Sequence, residues 1–268
     1  MEILVGADPE LFAFVGNNPI SAHGLIPGTK HEPFKVDGGA VQVDGMALEF
    51  NIDPAKNEQE FVANLNRVMN IMRNMVPNYD VQAVPVAEFG LDYMKMQPRE
   101  ALEMGCEPDF DAWKDGEINM PPNSFLPFRT GAGHVHIGWG DNFDVYTEEH
   151  HNKCCEVIKQ LDYFLGLPSL FYDKDVKRRT MYGKPGCFRP KIYGAEYRVL
   201  SNAWLADDKL KSWVFRNTKA AMDRLERGDK VFARVSPKIL SNLMDSKPDM
   251  IRVERMLDKL DIEIPKAA

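Results

Sequence analysis

Residues 131–138 read GAGHVHIG, and this short alternation constrains the fold more than any other stretch of the chain. Alternating apolar residues between glycines suit a strand. On a strand, residues two apart project from one face, about 7 Å from each other. His134 and His136 therefore point into one site. With only six histidines in 268 residues, a same-face pair framed by glycines marks a site rather than composition. Imidazole ligates metals, exchanges protons and contacts phosphate. Taken alone, the pair leaves zinc, acid–base chemistry and a satisfied core pair all open.

Four other clusters lie on strands, strand ends or a loop. Asp8-Pro9-Glu10 puts two carboxylates at the same two-residue spacing. Glu49 stands between Leu48 and Phe50 on an otherwise apolar strand. A buried, unpaired carboxylate costs several kcal/mol, roughly, so it calls for a cation. Glu196-Tyr197-Arg198 is another i, i+2 pair, and Arg178–Arg189 (RRTMYGKPGCFR) carries Arg178, Arg179, Arg189 and Lys184 among glycines. Each has a bland reading in isolation: a solvated turn, a core salt bridge, a cross-strand pair, a solvated loop. Together, acids and imidazoles on several strands with cations in a glycine-rich loop describe a metal–phosphate site. Mg²⁺ takes carboxylates plus substrate phosphates, and arginine forks grip phosphate or carboxylate. No GxxxxGK[ST] loop and no kinase HRD or DFG set is present.

The rest of the chain frames these clusters. Alternation predicts a strand over 2–15, interrupted at Asp8-Pro9, and a strand pair over 41–52 turning at Asp44-Gly45. Strands are also expected at 81–89, 130–139 and 191–201, and loop with short strands at 16–40. Helical spacing of apolar residues predicts helices over 57–75, 146–165 and 207–227, with short ones near 237–244 and 248–260. Residues 105–128 carry no period and read as a long loop. The expected fold is α+β: a curved, mainly antiparallel sheet with helices on its outer face. No composition break divides the chain, so 1–268 reads as one domain with a helical C-terminal segment from about 206.

Composition excludes several classes. A net charge of −7 argues against a general nucleic-acid binder. The four cysteines, Cys106, Cys154, Cys155 and Cys187, form no CxxC pair and are expected to be reduced, cytosolic thiols. The N-terminus lacks the basic and apolar regions of a signal peptide. No run of about 18 apolar residues predicts a membrane span.

The set Asp8-x-Glu10, LEFN at 48–51, GCEPDFDAW at 105–113, GHVHIG at 133–138 and YGKPGCFRPKIYGAEYRVLSN at 182–202 resembles the carboxylate–amine ligases of the glutamine synthetase and glutamate–cysteine ligase superfamily. Within it, the set resembles a phage-associated branch, the type 2 COOH–NH2 ligases. The resemblance covers most of residues 1–205. It implies a sheet of glutamine-synthetase catalytic type, ATP as substrate, Mg²⁺ or Mn²⁺ as cofactor, and the host cytoplasm if the protein is phage-encoded. Metal ligands carry over to Asp8, Glu10, Glu49, His134 and Glu196, with Asp44 less closely matched. Asp8 departs from the pattern, where relatives carry Glu. His136 carries over to ATP phosphate, Arg198 to phosphate or substrate carboxylate, and the preceding arginines to Arg179 and Arg189. With Lys184, these cations form the expected phosphate-handling set.

The implied reaction phosphorylates a carboxylate with ATP and lets an amine displace the phosphate. An acyl phosphate must be kept from water, and the loops at 16–40 and 105–128 are the expected lids. The partners are a small carboxylic acid, such as an amino acid like glutamate, and an amine acceptor. Homo-oligomers occur among such enzymes. Two other readings use the same residues. His134, His136 and one acid could make a three-ligand zinc hydrolase, or the fold could persist in a catalytically inactive binding protein.

Overall fold

The structure is a computed structural model, which describes residues 2–102, 108–120 and 126–266. Five strands come first: β1 (Leu4–Val15), β2 (Asn18–Ile20), β3 (Phe34–Val36), β4 (Gly39–Asp44) and β5 (Ala47–Ile52). Helix α1 (Glu58–Met75), strands β6 (Asp80–Gln82) and β7 (Val86–Glu88), and two short helices, α2 (Leu91–Lys95) and α3 (Arg99–Leu102), follow. Next come β8 (Asp109–Asp111), β9 (Glu117–Asn119), β10 (Phe128–Thr130) and β11 (Gly133–Gly138). Helices α4 (Glu148–Leu161), α5 (Leu167–Ser169) and α6 (Lys177–Met181) lead into the hairpin of β12 (Cys187–Lys191) and β13 (Gly194–Tyr197). Helices α7 (Asp208–Glu226), α8 (Val231–Arg234) and α9 (Met250–Lys259) close the described chain.

The architecture is α+β around one large, open, antiparallel sheet in the order β3-β4-β5-β1-β11-β13-β12-β8-β9. Strands β2 and β6 add to the far half of β1, and β7 with β10 make a separate two-stranded sheet. Period two sorts the faces. Val5, Ala7, Leu11, Val41, Leu48, Phe50, Val135, Ile137, Ala195 and Tyr197 turn to one side and join the main core. There α1 packs on β4, β5 and α7, while α4 packs on β12, β13 and α7. The acids and histidines turn to the other face.

The three long helices are where periodicity puts them, and each is started by a side chain. Asn57, Thr147 and Asp207 accept from the backbone N–H of Glu60, His150 and Leu210 respectively. Helix α4 does not run regularly to 165. It passes into a π turn at Asp162–Gly166 that aims Asp162 under the sheet. No helix among the described residues is long and apolar enough to cross a membrane.

Four expectations need correction. The strand expected over 81–89 is two strands, because Pro85 lacks an N–H and breaks the ladder. Residues 105–128 are not simply loop: β8 and β9 extend the sheet past β12, and residues 103–107 (with Cys106) and 121–125 lie outside the described ones. The strand expected over 191–201 is the second arm of a hairpin whose first arm begins at Cys187. Its turn depends on Gly194, whose φ is +153° and whose added Cβ would lie 2.0 Å from Ile137 O. Finally, Arg178 and Arg179 are no solvated loop. They sit on α6, each 2% exposed.

The buried Asp162 links three segments that reach the opposite face. Its carboxylate accepts from Trp113 Nε1 at 2.6 Å, from Tyr197 OH at 2.9 Å and from the backbone N–H of Gly186. Burial pushes its pKa up to about 7. Asp162→Ala would strand three donors, two of them buried and the Trp113 indole half-buried, at about 1–3 kcal/mol each before relaxation. We expect its thermal midpoint to fall by roughly 5–10 °C in a calorimetric scan. Asp162→Asn, which keeps an acceptor, should lose less.

Candidate active site

Cross-strand register assembles the site from residues distant in sequence. Directly opposed residues in an antiparallel pair share a face, with Cβ atoms about 5 Å apart. One row runs Gln42–Glu49–Glu10 across β4, β5 and β1. A second pairs Asp8 with His134, and a third runs His136–Glu196–Arg189 across β11, β13 and β12. Above these rows lies a cleft of about 260 Å³. Asp8, Glu10, Asp44, Glu49, His134, Lys184, Arg189, Glu196 and Arg198 all line it. His136 lies one rung beyond, with Nδ1 at 2.5 Å from Tyr193 OH. The segments 16–40 and 105–128 both contribute walls, through Lys30 and through Asp109, Asn119 and Phe128.

The cleft has two electrostatic halves. In the first, Glu10 and Glu49 face each other with Asp44 nearby, and no ion pair among the described residues involves any of the three. Among the described residues, Glu10 accepts the Ala132 N–H, at 2.8 Å, and Glu49 the Gln42 amide, at 2.6 Å. Burial, with the charge of Asp44 adding to it, pushes Glu10 up to about 7. Burial, with the charges of Asp8, Asp44 and Glu10, pushes Glu49 well above the carboxylate range. Like charges opposed across strands repel, so this half has room for a cation.

The second half is crowded with cations. Arg198 donates to Glu196 Oε1 and, through Nε, to Asp109 at 3.2 Å. Lys191 Nζ lies 2.7 Å from Glu196 Oε2, and Arg189 Nη1 is 4.0 Å from Oε1. Asp8 Oδ1 lies 3.0 Å from His136 Nε2, off line for a hydrogen bond, and 3.4 Å from His134 Nδ1. Burial disfavours ionisation of Asp8 and Glu196. The charge of His136 nevertheless holds Asp8 well below the carboxylate range, and Arg198 and Lys191 do the same for Glu196. His134 differs from its neighbour. Burial and the Arg198 charge push it down to about 4, so it is a neutral lone-pair donor at pH 7. For His136, burial works the same way, but Asp8 outweighs it and raises its pKa.

The expected site residues therefore converge, except that His136 lies one rung outside the cleft and Arg179 is turned away from it. Arg179 does not reach the cleft: its Nε donates to Leu243 O at 2.6 Å and its Nη1 to Asp173 at 2.9 Å, both buried. Its neighbour Arg178 lines the cleft instead, holding the carbonyls of Val199 and Arg198 at 2.7 and 3.0 Å. The glycines that frame the histidine pair make room for a neighbouring segment. An added Cβ on Gly133 would lie 2.2 Å from Ser201 O and 2.4 Å from Trp204 Nε1, and one on Gly131 2.3 Å from the Asn202 amide. They admit the 201–204 segment.

Sequence reasoning passed over Gln42, Asp109, Lys191 and Tyr193. The signal for Lys191 was present. It is two residues from Arg189, so the two share a face once the strand is started at Cys187. Gln42 alternates with Asp44 in the same way. Asp109 was hidden because a three-residue strand shows no periodicity.

Residues 120–244 match the family model of phage phiEco32-like COOH.NH2 ligase-type 2. The matched stretch, a little under half of the chain, contains the histidine strand, α6 and the β12–β13 hairpin, and it is the family that the motifs resemble. The family name indicates a carboxylate–amine ligase. A comparison with curated proteins gave no match.

Glu10 and Glu49 make a pH prediction. A carboxyl raised by folding holds its proton more tightly in the native state. Its stabilising effect is complete below the ordinary value of 4.5 and is lost as pH climbs toward the raised value, about 7 for Glu10. Glu10→Gln removes that loss. In chelator-treated protein, its thermal midpoint should gain on wild type as pH rises from 5 to 8, by about 1–3 kcal/mol in stability. A constant difference across that range would show that Glu10 titrates normally.

Proposed function

We propose that the chain is an ATP-dependent carboxylate–amine ligase that works through an acyl phosphate, on a sheet of glutamine-synthetase catalytic type. One observation carries the reading. Carboxylates that make no ion pair among the described residues, half-buried Glu10 and buried Glu49, share one cleft with the cations Lys184, Arg189, Lys191 and Arg198. That combination suits a divalent ion and an anionic phosphate held side by side. It does not suit a peptide carbonyl on a lone zinc.

The residues fit Mg²⁺ or Mn²⁺. Glu10 and Glu49 would hold it, with Asp8 and neutral His134 beside them. Glu196, also a ligand by the resemblance, stands apart because Arg198 donates to its Oε1 and the Lys191 ammonium lies 2.7 Å from its Oε2, off line for a hydrogen bond. A bound ion would neutralise phosphate charge and so ease attack on the terminal phosphorus.

The chain's own residues supply the rest. Arg189 and Arg198, with Lys184, would hold phosphate oxygens while the terminal phosphoryl group passes from ATP to a carboxylate oxygen of the acid. ADP leaves, and the acid becomes an acyl phosphate with a good leaving group. The amine nitrogen then bonds to the acyl carbon, the C–O bond to phosphate breaks, and the amine gives up a proton. His136, whose pKa Asp8 and Glu196 raise, would lend positive charge from the edge of the cleft. The walls from 16–40 and 105–128 would exclude water from the acyl phosphate.

The test is an ADP-release screen over pairs of acids and amines with Mg²⁺ or Mn²⁺, with the condensed product weighed by mass spectrometry. Release should require the metal, an acid and an amine, and Glu49→Gln should cut turnover by about 100-fold, the scale of losing one electrostatic stabiliser. Glu10→Gln and Glu49→Gln variants that both turn over normally would sink the reading.

A further inference from the structure

The carboxylates that the resemblance implies as metal ligands are not equivalent. Among the described residues, Glu10 and Glu49 accept from amide groups and make no ion pair. Glu196 is 1% exposed and meets a cation at each oxygen: Arg198 at Oε1, Lys191 Nζ at 2.7 Å from Oε2. Arg189 Nη1 stands 4.0 Å from Oε1 as well. Among the described residues, Asp8, His136 and Glu196 are the group whose ligand atoms come close enough to hold a metal, all within 4.8 Å of one another. A cation belongs in such a trio, and the ammonium of Lys191 is already against one of its members.

Lys191 is placed for this by the β12 register. Arg189 and Lys191 occupy alternate positions on the cleft face, and Lys191 pairs with Gly194, which has no side chain to crowd the stem. A lysine ammonium is a compact point charge on a flexible stem with three donors. Its Nζ stands within ion-pair distance of Glu196 Oε2 without a hydrogen bond to it, and the side chain is 31% exposed to the cleft.

We propose that Lys191 is a built-in cation, whose ammonium takes the place at Glu196 that the resemblance gives to a divalent ion and, with Arg198, presents positive charge to an anionic phosphoryl oxygen. Glu196 is then the carboxylate that positions Lys191 and Arg198, and this chain holds its metal at Glu10 and Glu49, not at Glu196. The inference rests on reading the cleft as a metal–phosphate site.

Counting Mn²⁺ bound to the intact chain, by calorimetry and by the electron paramagnetic resonance signal of free Mn²⁺, tests it without an activity assay. Wild type and Glu196→Gln should bind the same number of ions, with affinities within about threefold. Lys191→Met, which keeps the stem and loses the charge, should gain one ion by freeing the Asp8–His136–Glu196 trio. The double variant Lys191→Met/Glu196→Gln should lose that extra ion, and Lys191→Arg should gain none. Circular dichroism checks that each variant is folded. Loss of an ion in Glu196→Gln, or no gain in Lys191→Met, overturns the proposal. The metal reading of the cleft fails separately, if Glu49→Gln binds as many ions as wild type. Even if wild type bound none, the Lys191→Met count would still decide the role of Lys191.

Discussion

Strand β1 must satisfy two chemistries at once, and the rest of the molecule is arranged around that constraint. Its alternate residues feed the helix-covered core on one face and place Asp8 and Glu10 on the other. It pairs with β5 on one side and β11 on the other, so its register fixes which residues of both neighbours meet it. A slip of one residue would bury both carboxylates in the apolar core and expose Ala7 and Leu11. The main core's burial of Val5, Ala7 and Leu11 therefore locks the site geometry as firmly as it stabilises the fold.

Charge then divides the cleft. Among the described residues, Glu10, Asp44 and Glu49 have no cation within ion-pair distance, whereas Asp8, Asp109 and Glu196 are each met by basic groups. The two sides differ because of register. Opposing Glu10 to Glu49 concentrates like charge, while opposing Glu196 to Arg189 disperses it. Asp162 braces the second side from beneath. Its three donors come from segments that carry Asp109, Arg189 and Arg198 to the cleft. Burial and the Arg198 charge lower the pKa of His134 while Asp8 and Glu196 raise that of His136, so two identical side chains two residues apart are shifted in opposite directions.

Much of this was legible in the sequence. The long helices, the hairpin of β4 and β5, and the same-face pairs at Asp8/Glu10 and His134/His136 follow from periodicity alone. The short strands β8 and β9 do not, because three residues carry too little pattern to be distinguished from loop. The arginine pair on α6 misled for a different reason. Sequence gives no sign of which of two adjacent guanidiniums reaches the cleft, and Arg179 is turned away by its bonds to Leu243 and Asp173.

By itself, the sequence determined which chemical groups exist and which face of its own strand each occupies, since the two-residue period is a property of the local backbone. It determined the family resemblance on the same motifs. Only the tertiary structure decided which groups become neighbours. That Glu49 meets Glu10, that Glu196 meets Lys191, and that Asp162 reaches Trp113 from 49 residues away depend on strand order and register. Those are set by how the whole apolar face packs, and no local spacing records them.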